Sequence, residues 1–138
     1  MLKKLGYVEL FKAVQEVVEE NTGLRCYDSI PKNAPSPFYF AEIVNVRPEN
    51  TKTMFIDVFT VFIHAIAEPN KSSMNVYRLV QDLEEAMTKE IKLCKEHWVL
   101  SQTSQGLNGI QTDETGEKHA VLAYEFKVVY GFKIKGGM

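Results

Sequence analysis

The chain has 138 residues, 45% hydrophobic and 25% charged, which suits one soluble domain able to bury a core of its own. A formal charge of −2 and a pI near 5.9 exclude a global electrostatic pull toward nucleic acid or acidic membranes. No run approaches the roughly 18 apolar residues of a membrane span, and Glu9, Lys12 and Glu16 break the apolar stretch that would make Met1-Leu2-Lys3-Lys4-Leu5 the start of a signal peptide.

Tyr7, Phe11, Val14 and Val18 recur at helical spacing, with Leu10 and Val17 widening the face and Lys12, Glu16, Glu19 and Glu20 opposite. This predicts an amphipathic helix of about four turns. Asn21-Thr22-Gly23 ends it, with Gly23 available for a left-handed cap. Pro31, Pro35 and Pro37 then exclude helix from the stretch Cys26 to Phe40. Tyr27-Asp28-Ser29-Ile30-Pro31 followed by Pro37-Phe38-Tyr39 reads as a short strand, a rigid corner and a second strand, with the Asp28 side chain expected to cap local N–H groups.

Phe38 to Val46 is aromatic and β-branched, as a strand should be, and Arg47 to Lys52 is a polar turn. Met54 to Ala67 predicts a long strand with Phe55, Phe59, Val61, Ile63 and Ala65 on one face and Ile56, Val58, Phe62 and Ile66 on the other. Apolar character on both faces predicts cover on both sides, from its own helices or from another subunit. After the break Glu68 to Ser73, with Ser73 as N-cap, the series Val76, Val80, Leu83, Met87, Ile91 and Cys94 predicts a second helix over Ser73–Leu93.

Trp98-Val99-Leu100 opens another strand, and Ser101 to Lys118 is polar and glycine-bearing, which predicts a long loop. Leu122, Tyr124, Phe126, Val128, Tyr130, Phe132 and Ile134 alternate with Glu125, Lys127, Lys133 and Lys135 in a last strand from about Ala120 to Lys135, followed by a flexible tail to Met138. The expected architecture is a single α+β domain over 1–138. Two amphipathic helices pack on a mostly antiparallel sheet in the order α-β-β-β-α-β-β, with long hairpin loops.

Little in the chain points to chemistry. Cys26 and Cys94 form no CxxC pair or disulfide framework, which predicts reduced thiols in a cytoplasmic protein. Cys94-Lys95-Glu96-His97 has a spacing that a metal could use, with Cys26 or His64 to complete a set. Cys94 falls on the apolar stripe of the predicted helix, however, so it reads as buried and structural. His64 reads as a hydrogen-bonded core or interface histidine. No nucleophile elbow, P-loop or dinucleotide fingerprint is present. No catalytic, metal or cofactor site is expected.

The two polar segments read as arms that order against a neighbouring subunit. Their candidate contact residues are Arg47, Glu49, Asn50 and Lys52 in the first, and Gln105, Leu107, Asn108, Ile110, Asp113 and Glu114 in the second.

With these elements placed, the chain resembles the tail-terminator (tail-completion, head-to-tail joining) proteins of long-tailed bacteriophages and prophages. The resemblance rests on the N-terminal helix, the Tyr27–Pro31 corner, Pro37-Phe38-Tyr39 opening a strand, the long strand Phe55–Ile66 and the helix Ser73–Leu93 ahead of a strand pair. It implies a hexameric ring on the head-proximal end of the tail tube, which stops polymerisation and docks the head–tail connector. The implied partners are further copies of the chain, the tail tube protein and the connector, with no membrane and no sequence-specific nucleic acid. The implied locations are the host cytoplasm during assembly and the virion tail or neck. It brings no enzymatic residues. The alternatives are a small secretion-type chaperone holding an extended client on its sheet, and a small enzyme built around His64 and His97.

Overall fold

In the computed structural model, which describes residues 1–133, one five-stranded sheet carries two helices. The elements are α1 (Tyr7–Thr22), β1 (Cys26–Tyr27), β2 (Phe38–Pro48), β3 (Met54–Ala67), α2 (Met74–Ala86), β4 (Trp98–Thr112) and β5 (Lys118–Phe132). The strands lie in the order β1-β2-β3-β5-β4, antiparallel except for the two-residue parallel pairing of β1 on β2. The α+β architecture expected from the sequence is the one observed. The expected strand end at Ile134 and Lys135 and the tail to Met138 lie outside the described residues.

The pleat explains where the core sits. Successive side chains of β3 point to opposite faces, and Phe59, Val61, Ile63 and Ala65 join Tyr39 and Ala41 of β2 and Leu122, Tyr124, Phe126 and Val128 of β5 in one cluster. Leu10, Val14, Val17 and Val18 of α1 and Val76, Leu79, Val80 and Leu83 of α2 pack into the same cluster. Both helices therefore cover one face. The Tyr39 hydroxyl anchors α2 to the sheet by donating to the Leu79 carbonyl at 2.7 Å. On the other face the buried apolar clusters are small, one with Phe38, Phe40 and Ile66 and one with Ile56, Val58 and Val129. No helix lies over them among the described residues, so the chain's own helices supply cover on one side only.

Four local expectations are corrected. The second helix ends at Ala86, not Leu93. The Thr88 hydroxyl donates to the Glu85 carbonyl, and the Gln102 side chain of β4 takes over the backbone beyond, accepting from Ile91 N and donating to the Met87 and Lys89 carbonyls. Met87 and Ile91 are still buried, which explains why the helical spacing seemed to continue. Ser73 makes no capping bond; instead Ser72 Oγ accepts from Met74 N at 3.1 Å. Most of the expected loop Ser101–Lys118 is strand β4, with only 113–117 left as its turn. β4 is an edge strand with one face uncovered, so polar side chains suit it. Asp28 caps no backbone N–H; it is exposed, and its side chain accepts only from Ser29 Oγ at 3.4 Å.

Candidate functional site

A sheet with two unlike outer edges is the feature most open to partners. β1 pairs with only Tyr39 and Phe40 of β2, so among the described residues the β2 edge from Ala41 onward is unpaired. β4 is the opposite edge along its whole length. The two differ in shape. The β2 edge has one bulge, at Val44, where Ile43 and Asn45 face consecutive residues of β3. β4 has three, at Leu100, Gln105 and Asn108. Gly106 (φ 91°) sits beside the second of these in the left-handed region that glycine adopts without strain.

The β2 edge forms part of a cleft of about 720 Å³. Ala41 to Val46 line one side, and Tyr7, Val8 and Phe11 of α1 line the other. The helix stripe explains the opening: α1 is rotated so that Leu10, Ala13, Val14 and Val17 face the sheet, leaving Tyr7 61% exposed rather than buried. The open cleft therefore combines unpaired backbone with apolar side chains.

The uncovered sheet face is closed over by charge at one end. Arg47 of β2 and Lys127 of β5 flank Val58 in register, and Val58 is fully buried without any helix above it. Glu49 bridges the two cations, with Lys127 Nζ at 2.7 Å and Arg47 Nη2 at 3.9 Å. Arg47 also reaches Glu125 at 3.5 Å, and Gln105 Nε2 donates to the same Glu125 carboxylate. The aliphatic stems of Arg and Lys can cover apolar surface while their heads stay wet. The Lys127 ammonium, hydrogen-bonded to Glu49, holds that carboxyl below its ordinary range.

Further along the same face, His64 Nε2 lies 2.6 Å from Glu42 Oε2 and His64 Nδ1 lies 2.7 Å from His119 Nε2. With His64 neutral, its Nε2–H donates to Glu42 and its Nδ1 accepts from His119. His119, Phe62, Asn108 and Gln111 line a hollow of about 310 Å³ beside it. At the far end of the hairpin, Trp98 and Phe132 pack edge to face and both stay exposed.

The sequence-predicted contact residues thus divide. Arg47, Glu49 and Gln105 come together in the ion network across the uncovered face. Asn50 is used internally, its Oδ1 accepting from Ile56 N at 2.9 Å, and Lys52 is exposed in the β2–β3 turn. Leu107 is exposed on the β4 edge strand, Asn108 is its third bulge, and Ile110 packs against the main core. Asp113 closes the hairpin turn with Glu117, and Glu114 projects from it.

Two groups escaped the sequence reading. The Glu42–His64–His119 chain depends on strand register, which a lone histidine does not reveal. Cys94 and His97 do meet, but with Glu9 rather than Cys26 or His64. Cys26 is buried, and burial together with nearby Glu19 pushes its thiol up to about 12.

A family of phage tail terminators, described as "Putative tail termination protein", matches residues 1–136. No curated protein matches the chain. Among solved structures, a chain from "Virion of native gene transfer agent (GTA) particle" has the same fold at a TM-score of 0.60 and 14% identity, over 90% of this chain and 99% of that one.

Proposed function

Because the chain belongs to the phage tail termination family, matched over residues 1–136, we propose that it caps the phage tail tube, ends its polymerisation and joins the tail to the head connector. In this reading it works through assembly and not through catalysis. Its partners are copies of itself, the tail tube protein and the connector. It assembles in the host cytoplasm and finishes in the virion tail or neck.

The observation that carries the reading is the pair of unlike free edges, the β2 edge in its cleft and bulged β4 on the other side of the sheet. Backbone groups left unpaired on an edge are a template for a strand from another chain. Joining unlike surfaces head to tail gives a ring when the rotation closes. Six copies of a 15.7 kDa chain would form a ring of about 94 kDa. The bulges and polar side chains of β4 hold back pairing between free copies, so association is weak alone and strong on the end of the tube.

The test blocks each edge separately at an exposed apolar residue, Val44→Lys on β2 and Leu107→Lys on β4. Each variant alone should keep its circular dichroism spectrum but fail to terminate tails at fixed length or join heads. Mixed at high concentration and chemically cross-linked, they should give a species of two copies and nothing larger, since one intact junction remains. Normal tails from both variants would overturn the reading. Loss with Val44→Lys alone would favour a chaperone that holds an extended client in the cleft.

A further inference from the structure

We propose that Glu9, Cys94 and His97 form a zinc site that ties the first turn of α1 to the connection leading into β4. The three residues offer a carboxylate oxygen, a thiol sulfur and an imidazole nitrogen whose atoms all lie within 4.8 Å of one another. Cys94 Sγ is 3.5 Å from His97 Nδ1 and 3.9 Å from Glu9 Oε2. Zinc bonds of about 2.3 Å to sulfur and about 2.0–2.1 Å to nitrogen or oxygen, at tetrahedral angles, put such ligand atoms about 3.5 Å apart. The two separations made by Cys94 are close to that spacing, and the third lies within 4.8 Å.

The hydrogen-bond arrangement points the same way. His97 Nε2 lies 2.8 Å from the Lys3 carbonyl and must carry the proton to donate to it. Nδ1 therefore presents a lone pair toward Cys94. A backbone carbonyl fixing the tautomer of a histidine from behind is the usual support for a metal-binding ring. The turn in which His97 N donates to the Cys94 carbonyl brings both side chains to one side. Glu9 keeps its other oxygen, Oε1, on Gly6 N at 3.3 Å.

Three electron-pair donors thus converge with one thiol proton among them, which can satisfy one neighbour and leaves the other facing a lone pair. None of the ion pairs of the described residues supplies Glu9 with a cation. A bound cation accepts electron pairs from all three at once. Mixed sulfur, imidazole and carboxylate donors suit zinc and not the hard cations calcium or magnesium. Cys94 gives up its thiol proton to solvent on binding, so affinity rises with pH. Cys94 and Glu9 are exposed, so the fourth position is open to water.

Cys94 would lie on a buried helix stripe only if α2 ran on to Leu93; with the helix ending at Ala86 its thiol is exposed. The site is independent of the assembly reading, since it draws on none of the edge residues.

The test uses the full chain, stripped with a chelator and kept reduced by a phosphine, and titrated with cobalt(II). A thiolate-to-cobalt absorption band should grow to one equivalent per chain and be bleached by zinc(II). Cys94→Ser should abolish the band. Glu9→Gln, which keeps the oxygen that accepts from Gly6, should weaken zinc binding by about tenfold or more. Cys26→Ala should change neither. Both Cys94 and Glu9 are exposed, so circular dichroism of these variants should match the parent. Absence of a thiolate band, or a band that survives Cys94→Ser, overturns the proposal.

Discussion

The ring of Phe40 lies flat against that of His64, with centroids 4.0 Å apart and planes within 3°. The stack helps to bury His64 on the face that carries no helix among the described residues. Burial holds the His64 pKa below the ordinary imidazole value of 6.5; His119 adds to that effect and the Glu42 carboxylate opposes it.

That sets a pH dependence. The unfolded chain binds a proton at His64 near pH 6.5 where the folded chain resists it, so stability is full above that pH and falls as pH drops below it. Urea midpoints should decline between about pH 7.5 and about pH 5.5, and the decline should be shallower in His64→Gln. Parallel profiles for the two proteins would remove His64 from the account.

Gln102 joins β4 to the end of α2 through three hydrogen bonds, to Ile91 N and to the Met87 and Lys89 carbonyls. Gln102→Ala leaves all three backbone groups to find other partners and should cost about 1–3 kcal/mol. Hydrogen exchange should speed up at the Ile91 amide more than at amides in the middle of β3. Unchanged exchange there would mean that water replaces the side chain without loss.

Leu83 is fully buried between α2 and the sheet, whereas Leu107 is 45% exposed on the edge strand. Leu83→Ala should destabilise by about 2–5 kcal/mol. Leu107→Ala should stay within about 0.5 kcal/mol. Denaturant melts of the two variants read the difference directly, and similar losses would contradict the observed helix register.

Asp28 lacks the capping bonds expected of it, so Asp28→Ala should change stability by less than about 0.5 kcal/mol. It lines the cleft between α1 and β2. An effect on tail joining without one on urea midpoints would place its role at that surface.

Much of the fold is legible in the sequence because its strong elements carry strong periods. The α1 stripe, the alternation of β3 and the turn between β2 and β3 are written in residues close together in the chain. α2 misleads because Met87 and Ile91 remain buried after the helix stops, held by a side chain from β4 that no local pattern announces. β4 misleads because an edge strand with an open face has no reason to alternate. Of the contact residues, Arg47, Glu49 and Gln105 meet only through the pairing of four strands. The same holds for His64 and His119. Polarity reveals where a surface lies, but register decides which surface residues touch.

The strand order has a kinetic consequence. β2–β3 and β4–β5 are hairpins closed by short turns, but the seam between β3 and β5 joins residues from Ala67↔Lys118 out to Met54↔Phe132, with α2 in between. Closing so long a loop costs entropy before its contacts repay it, which slows folding in proteins dominated by distant pairs. The hairpins should form early and the seam late. Leu122 pairs with Ile63 across the seam, and Ile63 pairs with Ala41 in the early hairpin, so Ile63→Val should speed unfolding more than it slows folding, while folding rates should be more sensitive to the turn at Asp113–Glu117. Stopped-flow chevrons of the two kinds of variant distinguish this order from its reverse. If the seam does form last, a chain emerging from the ribosome carries the β2–β3 hairpin with the β5 side of β3 unpaired until β5 has been made and docks on it, and that interval is when it is most exposed to aggregation.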